Sequence, residues 1–203
     1  MLKNWINNFA YGLKAYDFKW KFKLVVATPI MSFLILADWI VKWVVVATMQ
    51  QKEEKQFIKG FLKLNFIINP GSAYGRNSNK IELAITLATV FVICLMVLFI
   101  FLNDKKWIIT SSLLLAGGFA NLLARSWAPF DEVNKVYGGV VDMFVWDFNF
   151  LGSSGYIFNL ADMWVNIGIG FGVICFIIEI FYVFKPKKEK EMNKEVEINE
   201  IES

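Results

Sequence analysis

The sequence predicts an all-α membrane protein: a four-transmembrane-helix bundle with a small extracytoplasmic β element. Three observations predict it. Of the 203 residues, 57% are hydrophobic and the mean hydropathy is +0.48, too apolar for a soluble domain of that length. Four apolar runs, 24–49, 83–102, 107–123 and 157–184, are each long enough to cross hydrocarbon, which takes about 17–25 residues. Between the first two, the alternating stretch Phe61-Leu62-Lys63-Leu64-Asn65-Phe66-Ile67-Ile68 runs into Asn69-Pro70-Gly71, the pattern of a strand followed by a tight turn.

Taken in order, residues 1–23 place Leu2, Trp5, Ile6, Phe9, Leu13 and Tyr16 at helical spacing among five lysines, which predicts a helix lying in the headgroup region. The segment has no uninterrupted apolar core, so it does not read as a cleavable signal peptide. The first span carries Asp38 and Lys42 at i, i+4, close enough to neutralise one another as a structural ion pair. The second span ends at Asn103-Asp104-Lys105-Lys106, a turn so short that spans two and three must run antiparallel. Span three closes with Gly117-Gly118, which permit close helix approach, and with Asn121 and Arg125 on one face. Residues 126–156 read as a loop, in which Asp131, Glu132 and Lys135 form a solvated insertion. After Phe184, Lys185-Pro186-Lys187-Lys188 stops the last helix and leaves 185–203 as a charged, disordered tail. The chain thus divides into an interfacial segment 1–23, a membrane domain 24–184 and that tail. Lysine and arginine number twelve on one side of the membrane against eight on the other, which predicts both termini in the cytoplasm and the Asn69 and Asp142 loops outside.

Composition also limits the chemistry. The net charge of +3 comes from basic residues that flank apolar runs, so nothing points to nucleic acid. There is no histidine, which removes the commonest general base and most zinc sites. Cys94 and Cys175 lie inside apolar runs with no metal spacing and read as small packing residues. Carboxylates remain. In the last span Asn159, Asp162 and Asn166 are spaced i, i+3, i+7, a polar stripe on a membrane helix, and an ionisable residue there is costly enough to suggest a function. The predicted topology gathers Asn69, Asn121, Arg125, Asp142, Asn159 and Asp162 at the outer end of the bundle. Two neighbouring carboxylates do not both ionise easily; one keeps a proton, the arrangement that activates a water for amide hydrolysis.

Five pieces in order, Asp38-Trp-Ile-Val-Lys42, Asn69-x-Gly71-x-Ala73-Tyr74-Gly75, Gly118-x-x-Asn121 with Arg125, Gly139-Val-Val-Asp142 and Phe158-Asn159-x-Ala161-Asp162, resemble the lipoprotein signal peptidases, or signal peptidase II, over about Leu34 to Gly168. The resemblance implies a four-helix bundle that works as an aspartic endopeptidase in the bacterial plasma membrane with its site on the outer face. It implies that Asp142 and Asp162 are the catalytic pair and that Asn69, Gly71, Asn121, Arg125, Asn159 and Ala161 bind substrate. It implies cleavage of diacylglyceryl-modified prolipoproteins before the lipidated cysteine, by a monomer among membrane lipids, with no metal or cofactor. The sequence departs from the family at Ala124, where an acidic residue usually precedes the arginine. Two other readings stand beside this one. A small transporter or scaffold would use the same acids for binding, although the halves show no repeat; a relative that has lost catalysis is the reading that Ala124 prompts.

Overall fold

Four helices of the computed structural model are long and apolar enough to cross a membrane. The structure describes residues 1–71, 81–149 and 155–184. A first helix, α1 (Leu2–Ala15), precedes the bundle, and the four long helices are α2 (Trp20–Thr48), α3 (Ile81–Phe101), α4 (Lys105–Trp127) and α5 (Leu160–Phe184). Four strands complete the chain: β1 (Glu54–Ile58), β2 (Leu62–Asn69), β3 (Val140–Trp146) and β4 (Ile157–Phe158). Ala73, Tyr74 and Gly75 of the loop motif and the tail 185–203 lie outside the described residues.

Each helix has a local cause. The first turns of α2 widen into a π-helical stretch over Lys23–Ala27, with the Thr28 N–H reaching back to the Lys23 carbonyl. Pro29 follows at once; its ring crowds the carbonyl four residues back, and an extra residue in the turn relieves that crowding. Asp104 opens α4 as an N-cap, its Oδ1 accepting from the Lys106 N–H at 2.9 Å. The last two carbonyls of α3 are met from the N-terminal segment, where Lys23 Nζ donates to the Ile100 carbonyl at 2.6 Å and the Tyr16 hydroxyl donates to that of Phe101.

Helix α4 is the centre of the bundle and packs against α2, α3 and α5. Its buried face is rich in small residues, Ser111, Ser112, Ala116, Gly117, Ala120 and Ala124. On α5 the matching face is Ala161, Gly168, Gly172 and Cys175. A Cβ at Gly117 would lie 2.4 Å from the Ala161 carbonyl oxygen, and one at Gly168 would lie 3.0 Å from Leu113 Cβ. The predicted close approach at Gly117 is therefore present, and it is what brings Asn121 on α4 beside the start of α5. Side chains such as Phe33, Ile93, Leu98, Ile174 and Phe181 point outward, as lipid contact requires.

The strands form one antiparallel sheet in the order β1-β2-β3-β4. Strand β2 matches the predicted one. The expectation of a loop over 126–156 fails for β3, and β4 occupies 157–158, where the last span was expected to begin. Val140 to Phe144 are buried without alternation, because the strand is covered on both faces, so its periodicity carried no strand signal. The sheet packs on the ends of α2 and α4 through Val45, Met49, Phe66, Val141, Met143 and Phe158. The predicted solvated insertion also differs: Asp131 is buried and caps its own turn, accepting from the Val133 and Asn134 N–H groups at 2.9 and 3.0 Å.

Candidate active site

Register places the two aspartates. Strand β2 pairs with β3 so that Asn69 lies opposite Val140 and Ile67 opposite Asp142, which turns the Asn69 side chain toward the acid. Asn69 Nδ2 donates to Asp142 Oδ2 at 3.0 Å, and Asn69 Oδ1 accepts from the Gly71 N–H at 3.0 Å. On the other side β4 pairs Phe158 with Phe144, so the next residue, Asn159, arrives beside Asp142. Asn159 Nδ2 donates to Asp142 Oδ1 at 2.5 Å.

Asn159 is not a residue of the last helix, as the i, i+3, i+7 reading had it, but the residue that caps it. Its Oδ1 accepts from the Asp162 N–H at 3.0 Å while Asp162 Oδ2 accepts from the Asn159 N–H at 3.1 Å, a reciprocal capping box. Asp162 therefore sits in the first turn of α5, at the mouth of the bundle and near the positive end of the helix dipole. Asn121 Nδ2 donates to Asp162 Oδ1 at 2.9 Å. All four carboxylate oxygens thus accept one N–H each, which leaves their remaining lone pairs for another ligand.

The ion pair predicted in the first span reaches into this network. Lys42 Nζ lies 2.7 Å from Asp38 Oδ2 and also donates to Asn121 Oδ1 at 2.7 Å, with both charged groups fully buried. Asp38 Oδ1 accepts from the Ala161 N–H at 2.8 Å, pinning the first turn of α5. A lysine donor on the oxygen of Asn121 forces its amide nitrogen toward Asp162. The pair thereby fixes the orientation of a side chain that touches the dyad.

Asp142, Asp162, Asn69, Gly71, Asn121 and Arg125 all line a cavity of about 910 Å³, open on one side. Much of its remaining wall is apolar, contributed by α3 (Ala84, Leu87, Phe91) and α5 (Val165, Ile169), while Asn134, Tyr156 and Asn166 add polar groups. Asn159 and Ala161, expected to bind substrate, are fully buried and do not line it. Asn159 holds both aspartates from behind, and the Ala161 N–H is held by Asp38. Arg125, among the described residues, bonds carbonyls: it donates to those of Gly138 at 2.9 Å, Pro70 at 3.5 Å and Gly71, bracing the turn after β2. This satisfies its guanidinium without an acid at position 124, and Ala124 itself is buried on the packing face of α4.

Burial pushes the Asp142 carboxyl up, with the charge of Asp162 adding to it, from an ordinary 3.8 to about 7. The amide donors of Asn69 and Asn159 and the charge of Lys42 oppose that rise. Among the described residues no group of three or more metal-ligating side chains occurs.

Four helices able to cross a membrane, with Asp142 on β3 and Asp162 on α5 lining one cavity, define the class: a multi-pass membrane protein with a carboxylate-bearing site. Residues 30–182 match the sequence model of signal peptidase (SPase) II. The lipoprotein signal peptidase of Streptococcus agalactiae serotype Ia is 31% identical over 158 residues, covering 75% of this chain and 90% of its own. That of Staphylococcus aureus strain RF122 is 30% identical over 176 residues, covering 84% and 98%. A bacterial membrane enzyme solved by the in meso method at 2.3 Å superposes with a TM-score of 0.66 at 25% identity, covering 79% of this chain and 93% of the other. A second, solved at 1.9 Å, gives 0.61 at 26%, covering 74% and 91%. The chain belongs to the signal peptidase II family, a family of proteases, and is a multi-pass bacterial membrane protein.

Proposed function

We propose that this chain removes the signal peptide of diacylglyceryl-modified prolipoproteins by cleaving on the N-terminal side of the lipidated cysteine, with Asp142 and Asp162 as the catalytic pair. The observation that carries this reading is the matched pair itself: two carboxylates bridged by Asn159, each oxygen already holding one N–H and facing the cavity with what remains. One carboxylate takes a proton from a water as it attacks the scissile carbonyl, and the other, protonated, donates to the carbonyl oxygen. The proton taken from water then passes to the departing amine. The pair titrates as a unit, so neither aspartate owns the shared proton.

Asn69, Gly71 and Asn121, on the cavity wall, are the groups able to hold the peptide backbone, and the apolar wall between α3 and α5 suits the acyl chains of a lipidated substrate. Every group named comes from one chain, which fits a working monomer. The site faces outward and both termini face the cytoplasm in this reading.

The test is cleavage of a diacylglyceryl-modified prolipoprotein peptide in detergent. The unaltered chain should cut before the modified cysteine, and Asp142→Asn and Asp162→Asn should each lower turnover at least about 100-fold. Binding without cleavage by the unaltered chain would mark it as a relative that holds substrate but has lost catalysis. Efflux or uptake activity dependent on Asp162 would instead favour a transporter.

A further inference from the structure

The N-terminal helix contributes no residue to the cavity lining, and residues 1–29 precede the stretch that the family's sequence model matches. We propose that α1 is a docking surface for the anionic phospholipids of the leaflet opposite the active site.

Placement comes first. Segment 16–23 is fastened to the C-terminal end of α3, through the Tyr16 hydroxyl on the Phe101 carbonyl, Lys23 Nζ on the Ile100 carbonyl, and the Phe18 ring 5.9 Å from that of Phe101. The cavity, by contrast, takes its α3 wall from Ala84, Leu87 and Phe91, in the other half of the same helix. Helix α1 therefore starts from the membrane border at the far end of the bundle. Trp20 stands there half exposed, where an interfacial aromatic belongs.

The surface of α1 then selects its occupant. Trp5, Ile6 and Leu13 fall within about 100° of arc on a helix and are 65%, 49% and 36% exposed, an apolar stripe with much of its area facing outward. Lys14 falls beside that stripe, about 80° round the helix from Ile6. Over residues 1–23 there are five lysines and one acid, Asp17; Lys23 is buried on the Ile100 carbonyl and Lys19 pairs with Asp17, so the cationic charge rests on Lys3, Lys14 and Lys21. An apolar stripe beside a cationic one is the pattern of a helix lying in an anionic headgroup layer, each lysine near such a surface adding about fivefold to affinity. A second copy would bring lysines against lysines.

Hydrogen–deuterium exchange on the full chain in lipid nanodiscs tests this, comparing phosphatidylcholine alone with phosphatidylcholine containing about 30% phosphatidylglycerol. The amides of 2–15 should exchange on the order of tenfold more slowly with the anionic lipid, and about 0.5 M salt should remove most of that difference. Lys3→Gln with Lys14→Gln should abolish the lipid dependence, while Trp5→Gln with Ile6→Gln should abolish protection in both lipids. None of these variants touches the cavity, so cleavage of a detergent-soluble substrate should be unchanged. Equal exchange in the two lipids would overturn the proposal, as would protection that rises only with the number of chains per disc, which would assign the stripe to a second copy.

Discussion

The Asp142–Asp162 pair holds its shared proton into the neutral range, because burial strips the Asp142 carboxyl of water and the charge of Asp162 adds to the rise, together more than the amide donors and Lys42 offset. The folded value of Asp142, about 7, lies above the ordinary 3.8, so protonation favours the folded state. That contribution is complete below 3.8 and is lost as pH rises through about 7. The thermal midpoint in detergent should accordingly fall between pH about 4 and about 7, and Asp142→Asn, which cannot ionise, should flatten that slope. Hydrolysis should fall off on the alkaline side near the same value, since a pair that has lost its shared proton has no acid to offer the carbonyl. A midpoint that moves identically with pH in the two proteins would show that other groups set the slope. Lys42 acts at the same scale with the opposite sign: its charge stabilises the ionised acids while its hydrogen bond sets the Asn121 amide.

One helix interface, α4 on α5, sets the distance between Asn121 and Asp162. Gly117 lies under it, and a methyl there would meet the Ala161 carbonyl at 2.4 Å and Val165 Cγ2 at 2.6 Å, neither of them a freely moving chain end. Gly117→Ala should push α5 outward, cost about 1–3 kcal/mol as overpacking does, and lower turnover by stretching the 2.9 Å bond between Asn121 and Asp162. Gly170→Ala is the control, because no atom lies within 4 Å of its Cβ; it should leave stability and turnover unchanged within error. Equal behaviour of the two variants in melting and turnover would remove the interface from the account. The same elements divide what the sequence makes readable from what it hides. Long apolar runs announce the four spans, and alternation announces β2, because one strong periodicity governs each. The buried run Val140–Phe144 shows no period, so β3 is hidden although it carries Asp142. The polar residues of the site are visible as residue types, but the division of labour among them is not. Asn159 as helix cap, Asn121 held by Lys42, and Arg125 on three carbonyls all depend on contacts 13 to 79 positions apart in the chain, except within the capping box itself.

At the scale of the whole molecule the dyad is asymmetric in the membrane: the sheet, the cavity mouth and the turn braced by Arg125 share one end of the bundle, and the α3–α4 turn with the N-terminal segment takes the other. Hydrolysis of an exported precursor needs the first end outside. The bias of lysine and arginine, twelve against eight, points the same way but weakly, because residues 50–80 hold six of the eight on the outer side. Labelling of single cysteines decides it. In a chain with Cys94→Ser and Cys175→Ala, Val133→Cys lies on the exposed turn near the cavity, and Lys105→Cys lies at the exposed start of α4. A membrane-impermeant maleimide added to intact cells should modify Val133→Cys, and Lys105→Cys only after the plasma membrane is opened. The reverse pattern would place the aspartates in the cytoplasm, where an exported lipidated precursor no longer reaches them, and would remove the proposed substrate while leaving the acid pair itself intact.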